Sequence, residues 1–298
     1  MNDGTKFREL KPDQGLRLLG IHMSLTGDFQ DEFDYRRTQI QTLAGKMRAT
    51  AFDERDAWLI YQTRYQPMMR YCLPITTFSD KQCNQIQSPF ICVFLNKLIM
   101  NRHTPRVVVW GPHKYGGLDV MDAAVEQLAS HVSLMITSIR KGNETGQSML
   151  LAMGMYQVTL GCKKPFWDLQ PDFYPTQSPA HLSMQYLWNK LREINATLYL
   201  PGMWTPTTKF VGDSTLMDDF VYTARERKGD ATHLRPIQLA LANSCRLYLR
   251  VTWLSEIVTA DGKHIAPWFF LGEGAVLRQP SYIPINRTRL RMLGRNGE

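Results

Sequence analysis

The chain contains no C-x-x-C pair. Its five cysteines, Cys72, Cys83, Cys92, Cys162 and Cys245, are scattered and odd in number. That argues against a disulfide framework and against a zinc knuckle, and predicts buried free thiols in a reducing compartment. There is no run of 18 apolar residues, and the opening MNDGTKFREL lacks the apolar core of a signal peptide. A soluble intracellular protein, nuclear or cytoplasmic and with no membrane partner, is therefore expected. The seven histidines include no H-E-x-x-H spacing, and no G-x-S-x-G elbow, P-loop or G-x-G-x-x-G fingerprint is present. The residues taken alone do not argue for an enzyme, and no cofactor is expected in this chain.

What is present is a globular composition: 44% hydrophobic and 21% charged over 298 residues, enough for one large core or two ordinary ones. The net charge of +8 favours polyanionic partners over acidic ones.

The pattern is mainly α, a helical bundle with short β segments and a smaller α+β C-terminal part. Leu16–Met23 is an apolar-rich strand candidate ending in a turn at Thr26-Gly27-Asp28. Phe33, Ile40, Leu43 and Met47 then fall on one stripe of a helix over 29–49, with acids at its start and Lys46 and Arg48 at its end. A second helix starts at Asp53 with an acidic cap and carries Ala57, Ile60, Tyr61, Tyr65 and Met68; Pro67 should kink or end it. Ser79 and Gln82 predict a capping box for a third helix, which Pro89 should interrupt. Further on, Val125, Leu128, Val132, Met135 and Ile139 predict a helix stopped at Gly142, with His131 on its polar side as a surface or partner-contact residue. A helix over 147–159 comes next. Residues 162–179, rich in proline, read as a linker or flap. Beyond them come a helix over 180–195, an extended piece at 197–200, and a helix over 236–249 with Ile237, Leu241, Cys245 and Tyr248. Two strand-like pieces near 251–259 and 263–266 then flank an Ala260-Asp261-Gly262 turn. The expected divisions are 1–100, 101–161, 162–179 and 180–298.

The chain is organised around Asn101–Asp122, NRHTPRVVVWGPHKYGGLDVMD. Val107–Trp110 has strand propensity and is fenced by Pro105 and Gly111-Pro112. Arg102, His103, Arg106, His113 and Lys114 crowd its edges, and Gly116-Gly117 supplies a turn. A buried apolar segment ringed by cations can bring backbone and positive charge to a phosphate chain. The alternative is a structural crossover whose charges are merely solvated. Asp218-Asp219 suggests the paired aspartates of two-metal polymerases, but no upstream strand offers a third carboxylate, and both are expected to be solvated in the first turns of a short helix.

Taken in order, K-P-D-Q-G-L-R-L-L-G-I at 11–21, L-A-G-K-M-R at 43–48, R-D-A-W at 55–58, Y-C-L-P at 71–74 and the central stretch resemble the region following the polymerase core of reverse transcriptases from non-LTR retrotransposons. C-R-L-Y-L at 245–249 and V-T-A-D-G at 258–262 are similar to a later block of that region. The resemblance covers roughly residues 11–266. It implies an end-of-palm strand followed by thumb-like helices that hold a primer–template, in an RNA-directed DNA polymerase whose magnesium-binding motifs lie before this chain begins. The chain is thus expected to be a truncated, catalytically incompetent fragment that binds RNA or DNA. Arg102, Arg106, His113 and Lys114 are the candidate phosphate contacts, with His103 beside them and Lys46 and Arg48 as secondary ones. A helical interaction protein or an inactive pseudogene product is the alternative.

Overall fold

The computed structural model describes residues 11–12, 14–169, 182–203, 206–208, 210–220 and 236–259. Among them the chain is mainly α-helical, with a single two-stranded sheet. They fall into two compact units, one within residues 1–137 and 181–190, the other within 138–180 and 191–298. These differ from the expected divisions: the central stretch belongs with the helical bundle that precedes it. No helix among the described residues is long and apolar enough to cross a membrane. The candidate turn at 260–262, the strand-like piece at 263–266 and most of the proline-rich stretch, 170–179, lie outside the described residues.

In the first unit the expected single strand is a hairpin. β1 (Leu16–Leu18) pairs antiparallel with β2 (Ile21–Met23), Arg17 opposite His22. Leu19 and Gly20 both sit at positive φ, as a two-residue turn matched to strand twist requires. Helix α1 (Gln30–Ala49) holds the hairpin through a buried carboxylate. Glu32 accepts from the His22 backbone N–H and ring, each at 2.8 Å, and from Arg36 Nε. Arg36 also reaches the Gly20 carbonyl, so the pair is fully engaged in hydrogen bonds, as burial of two charges demands.

Helix α2 (Glu54–Ile60) opens on the expected acidic cap: Asp53 accepts from the Asp56 N–H, and Asp56 returns the bond. Pro67 does not end this rod. A π-helical turn at Tyr61–Tyr65 joins α2 directly to α3 (Gln66–Cys72), and the widened turn carries the chain past the proline ring. Nor does Pro89 interrupt α4, which runs unbroken from Asp80 to Lys97 behind the expected Ser79–Gln82 capping box. The tail of α1 and the tail of α4 meet, Lys97 Nζ donating to the Thr50 carbonyl, and their starts meet through Gln82 and Gln30. The two helices therefore lie side by side in the same direction. Between the rod and α4 stack Tyr65 and Phe90, with rings 4.1 Å apart and 9° from parallel, flanked by Tyr61 and Phe94. Such pairs add about 0.5–1.5 kcal/mol each to the burial of their area.

Helix α6 (Ala123–Lys141) ends at Gly142 in the left-handed region, as its sequence predicts. Its buried stripe is not the expected one. Val125 is exposed, while Gln127 and His131 are buried with Met135 and Ile139. The reason is the irregular backbone between α3 and α4, whose polar groups need partners away from water. Gln127 accepts from the Phe78 N–H and donates to the Phe78 carbonyl, and His131 Nε2 donates to the Thr76 carbonyl at 2.7 Å. His131 is thus an interior residue and not a surface one. Burial pushes its imidazole below the ordinary 6.5, against the opposing pull of the Thr76 and Leu73 carbonyls. The unfolded chain takes up a proton below about pH 6.5 that the folded chain resists. Stability is therefore expected to be complete above that pH and to fall on acidification, with a slope of up to about 1.4 kcal/mol per pH unit. Urea unfolding between pH 5 and 8 measures this, and H131Q should flatten the dependence.

In the second unit α7 (Glu144–Leu160) is capped by Asn143 and stops at Gly161, close to expectation. The described start of the expected linker, 162–169, is packed: Phe166 and Trp167 are buried in a 3-10 turn. Helix α8 (Leu182–Glu193), whose residues up to Lys190 belong to the first unit, buries Met184, Leu187 and Leu191, but Ile194 is exposed. Among the described residues Thr197–Leu200 pairs with nothing as a strand, and the piece near 251–259 holds a bridge from Trp253 to Thr215, a 3-10 turn at Leu254–Glu256 and a further bridge residue at Val258. Pairing of 214–216 with 252–254 seats the one-turn helix α9 (Leu216–Asp218). Helix α10 (Pro236–Leu249) turns inward a face other than the expected one: Leu239, Asn243 and Arg246 are buried, Ile237 is 74% exposed. Arg246 explains it. Its guanidinium donates to the Val158 and Thr159 carbonyls at the end of α7, to the Val251 carbonyl, and to Asn243 and Thr252.

Candidate nucleic-acid interface

The central stretch is not a buried strand. Its apolar run is a five-residue helix, α5 (Arg106–Trp110), of which only Val109 is buried; Val107 is 82% exposed. A helix this short leaves its last carbonyls without partners inside itself. The returning chain supplies them: the Leu118 N–H donates to the Val108 carbonyl, Val120 to Val109, and Asp119 to Gly111, at 2.8–3.0 Å. That long-range solution overrides the β-branched preference. Between the two arms, His113–Tyr115 forms a 3-10 turn ended by Gly116 at φ 80°, and His113 Nδ1 sits 3.0 Å from the Gly117 carbonyl. The arms cross at Gly111 and Gly117, where a side chain on Gly117 would overlap the Gly111 carbonyl. Two buried groups fix the exit: Tyr61 Oη accepts from the Met121 N–H, and Gln87 from the Ala123 N–H.

The loop is therefore rigidly built, and its cations stand on it. Residues 101–117 contain Arg102, Arg106 and Lys114 and no carboxylate. Among the described residues none of the three forms an ion pair. Arg102 and Lys114 are exposed, the latter with its ammonium 4.7 Å above the Tyr115 ring. Arg106 is half-buried and its Nη1 has no acceptor among the described residues, an unmet charged donor. His103 is exposed and its Nε2 accepts from Arg102 Nε. His113 is exposed and turned to Gly117. Lys46 and Arg48 are exposed in the last turn of α1, at the end of the bundle from which the loop departs five residues after Lys97. Those two also complement the α1 dipole, which accounts for them without any ligand. The structure thus brings Arg102, His103, Arg106, His113 and Lys114 onto one loop.

Two of the described acids of the second unit are engaged by protein donors. Asp213 accepts from the Ser255 N–H and hydroxyl, and Asp218 is half-buried, not solvated, and accepts from the Lys163 N–H at 2.6 Å. Asp218 and Asp219 do not fit the magnesium of a polymerase palm, and among the described residues no group of three His, Cys, Asp or Glu side chains converges. None of the five cysteines is in a disulfide; burial pushes the Cys72 and Cys83 thiols up to about 12, which keeps them protonated and unreactive.

Two features escaped the sequence reading. One is Arg246, inside the C-R-L-Y-L block but on the face that reads as polar. The other is a cleft of about 410 Å³ lined by Glu54, Trp58, Gln62, Leu98, Met100, His113 and Leu118. The four-residue spacing of 54, 58 and 62 was its available signal. Comparison with family models, curated proteins and solved structures finds no match to this chain.

Crowding the loop crossing should loosen the loop without removing a charge. G117A is expected to cost about 1–3 kcal/mol, as overpacking does, and to weaken nucleic-acid binding severalfold. Thermal unfolding and fluorescence anisotropy read the two effects.

Proposed function

We propose that this chain is a nucleic-acid-binding, thumb-like part of a retroelement reverse transcriptase, with no polymerase chemistry of its own. In this reading α1, the α2–α3 rod and α4 form the support, and the loop between α4 and α6 contacts phosphates. The observation that carries it is the loop itself: three cations without an ion pair among the described residues, on a stretch, 101–117, that has no carboxylate of its own and whose backbone is pinned by hydrogen bonds at both ends. Preorganised cations lose little entropy on meeting phosphates. The family assignment rests on the ordered motifs from Lys11 to Gly262.

Fluorescence anisotropy of the full chain with a primed template tests the binding. Adding magnesium and nucleotides tests the chemistry, and no primer extension is expected. An interaction protein is the second reading, favoured by Leu18, Leu19 and Leu25 on and beside the hairpin, which are 50–92% exposed. Salt-insensitive or absent nucleic-acid binding would favour it.

A further inference from the structure

We infer that the cleft beside the basic loop receives an unpaired guanine of a bound single strand, an assignment that rests on the nucleic-acid reading above. Glu54, Trp58 and Gln62 lie four residues apart on one helical face, and all three line the cleft. Trp58 is held edge-on by Tyr61 at 5.6 Å and Phe94 at 5.0 Å, a fixed aromatic platform. Bases stack on such platforms with about 1–3 kcal/mol each. His113 stands across the cleft, its ring 6.4 Å from Trp58. Because a carbonyl only accepts, the contact with Gly117 puts the His113 proton on Nδ1, and Nε2 of the neutral ring is an acceptor. Leu98, Met100 and Leu118 supply the apolar lining.

The ligand for this lining is flat, aromatic and rich in donors along one edge. The Glu54 carboxylate, in the first turn of α2, is exposed and forms no ion pair among the described residues, so it repels a phosphate from the cleft and is open to donors from a ligand. Guanine alone among the common bases presents two adjacent donors, N1–H and the N2 amino group, which one carboxylate accepts together. Adenine and cytosine put a ring acceptor beside their amino group, and uracil flanks its one N–H with carbonyls. Lys114, next to His113 in the chain, is exposed and offers a cation to the strand's phosphate. The volume suits a base with its sugar and excludes a duplex. The π-helical turn at Tyr61–Tyr65, which includes Gln62, is a backbone irregularity of the kind frequent at functional sites.

The test compares two 12-nucleotide strands on the full chain by anisotropy, oligo-U and the same strand with one central G. The wild type is expected to bind the G-containing strand roughly tenfold tighter, the range of one good bidentate contact. E54Q, at an exposed position, should lose that difference, and E54D should keep part of it. Equal binding of the two strands by the wild type overturns the inference while leaving the basic-loop reading intact. Failure to bind either strand overturns the inference, and the basic-loop reading falls with it only if a primed duplex is not bound either. Binding of free guanosine 5′-monophosphate that depends on Glu54, with no difference between the strands, would assign the cleft to a nucleotide and overturn the strand proposal.

Discussion

Alanine at Arg102, Arg106 and Lys114 together is expected to remove most of the salt dependence of nucleic-acid binding. Each cation that neutralises a phosphate releases a counterion and contributes about −0.9 to the slope of log affinity against log salt on a duplex. Three contacts give a slope near −2.7, equivalent to roughly a fortyfold loss of affinity between 50 and 200 mM salt. The triple variant should lie nearly flat over that range and bind at least about tenfold more weakly at 50 mM. Arg102 and Lys114 are exposed and engage no carboxylate among the described residues, so their loss leaves the fold in place. Arg106 is half-buried with an unmatched donor, and its truncation relieves that mismatch. A K46A/R48A variant should change the slope less, because those side chains already serve the end of α1. Unchanged slope in the triple variant would place the polyanion site elsewhere.

The largest effect on stability is expected at Arg246. Burial holds its guanidinium below the ordinary arginine value, and among the described residues it forms no ion pair with a carboxylate. The end of α7 stabilises the cation: the Val158 and Thr159 carbonyls accept at 3.0 and 2.7 Å, where the helix dipole is negative. Gly161 leaves the space the guanidinium fills, since a Cβ there would collide with it. R246A strips these carbonyls, and that of Val251, of a partner and opens a cavity. At about 1–3 kcal/mol per unmet buried acceptor, partly relieved by entering water, a total loss of about 3–4 kcal/mol is expected. In a protein of this size that lowers Tm by about 5–6 °C. R246K should recover less than half, because an ammonium lacks the planar fork that reaches several carbonyls at once. Circular dichroism melts measure all three proteins, and a loss under about 1 kcal/mol for R246A would contradict the keystone role.

Much of the helical framework was legible. The Asp53 and Ser79 caps, the stripe Phe33, Ile40 and Met47, and the stops at Gly142 and Gly161 are local signals, and each stands where the sequence puts it. Several of the failures share one physical origin. Gln127, His131 and Arg246 are polar residues turned inward because backbone elsewhere, the irregular Thr76–Phe78 and the open last carbonyls of α7, needs partners. Periodicity assigns such residues to the solvent face, since it does not register what a distant segment lacks. Val107–Trp110 failed in the same way: its carbonyls are satisfied by residues 118–120, and a local preference for strand gave way to that arrangement. The five basic residues of the loop were legible by name. Their rigid platform, and the cleft next to them, were not.

The most direct measurement is the affinity of the full wild-type chain for a primed duplex across 50 to 200 mM salt. The reading requires binding with a log–log slope of about −2.7 or steeper. Absence of binding, or a slope near zero, would contradict it and leave the loop as a structural crossover.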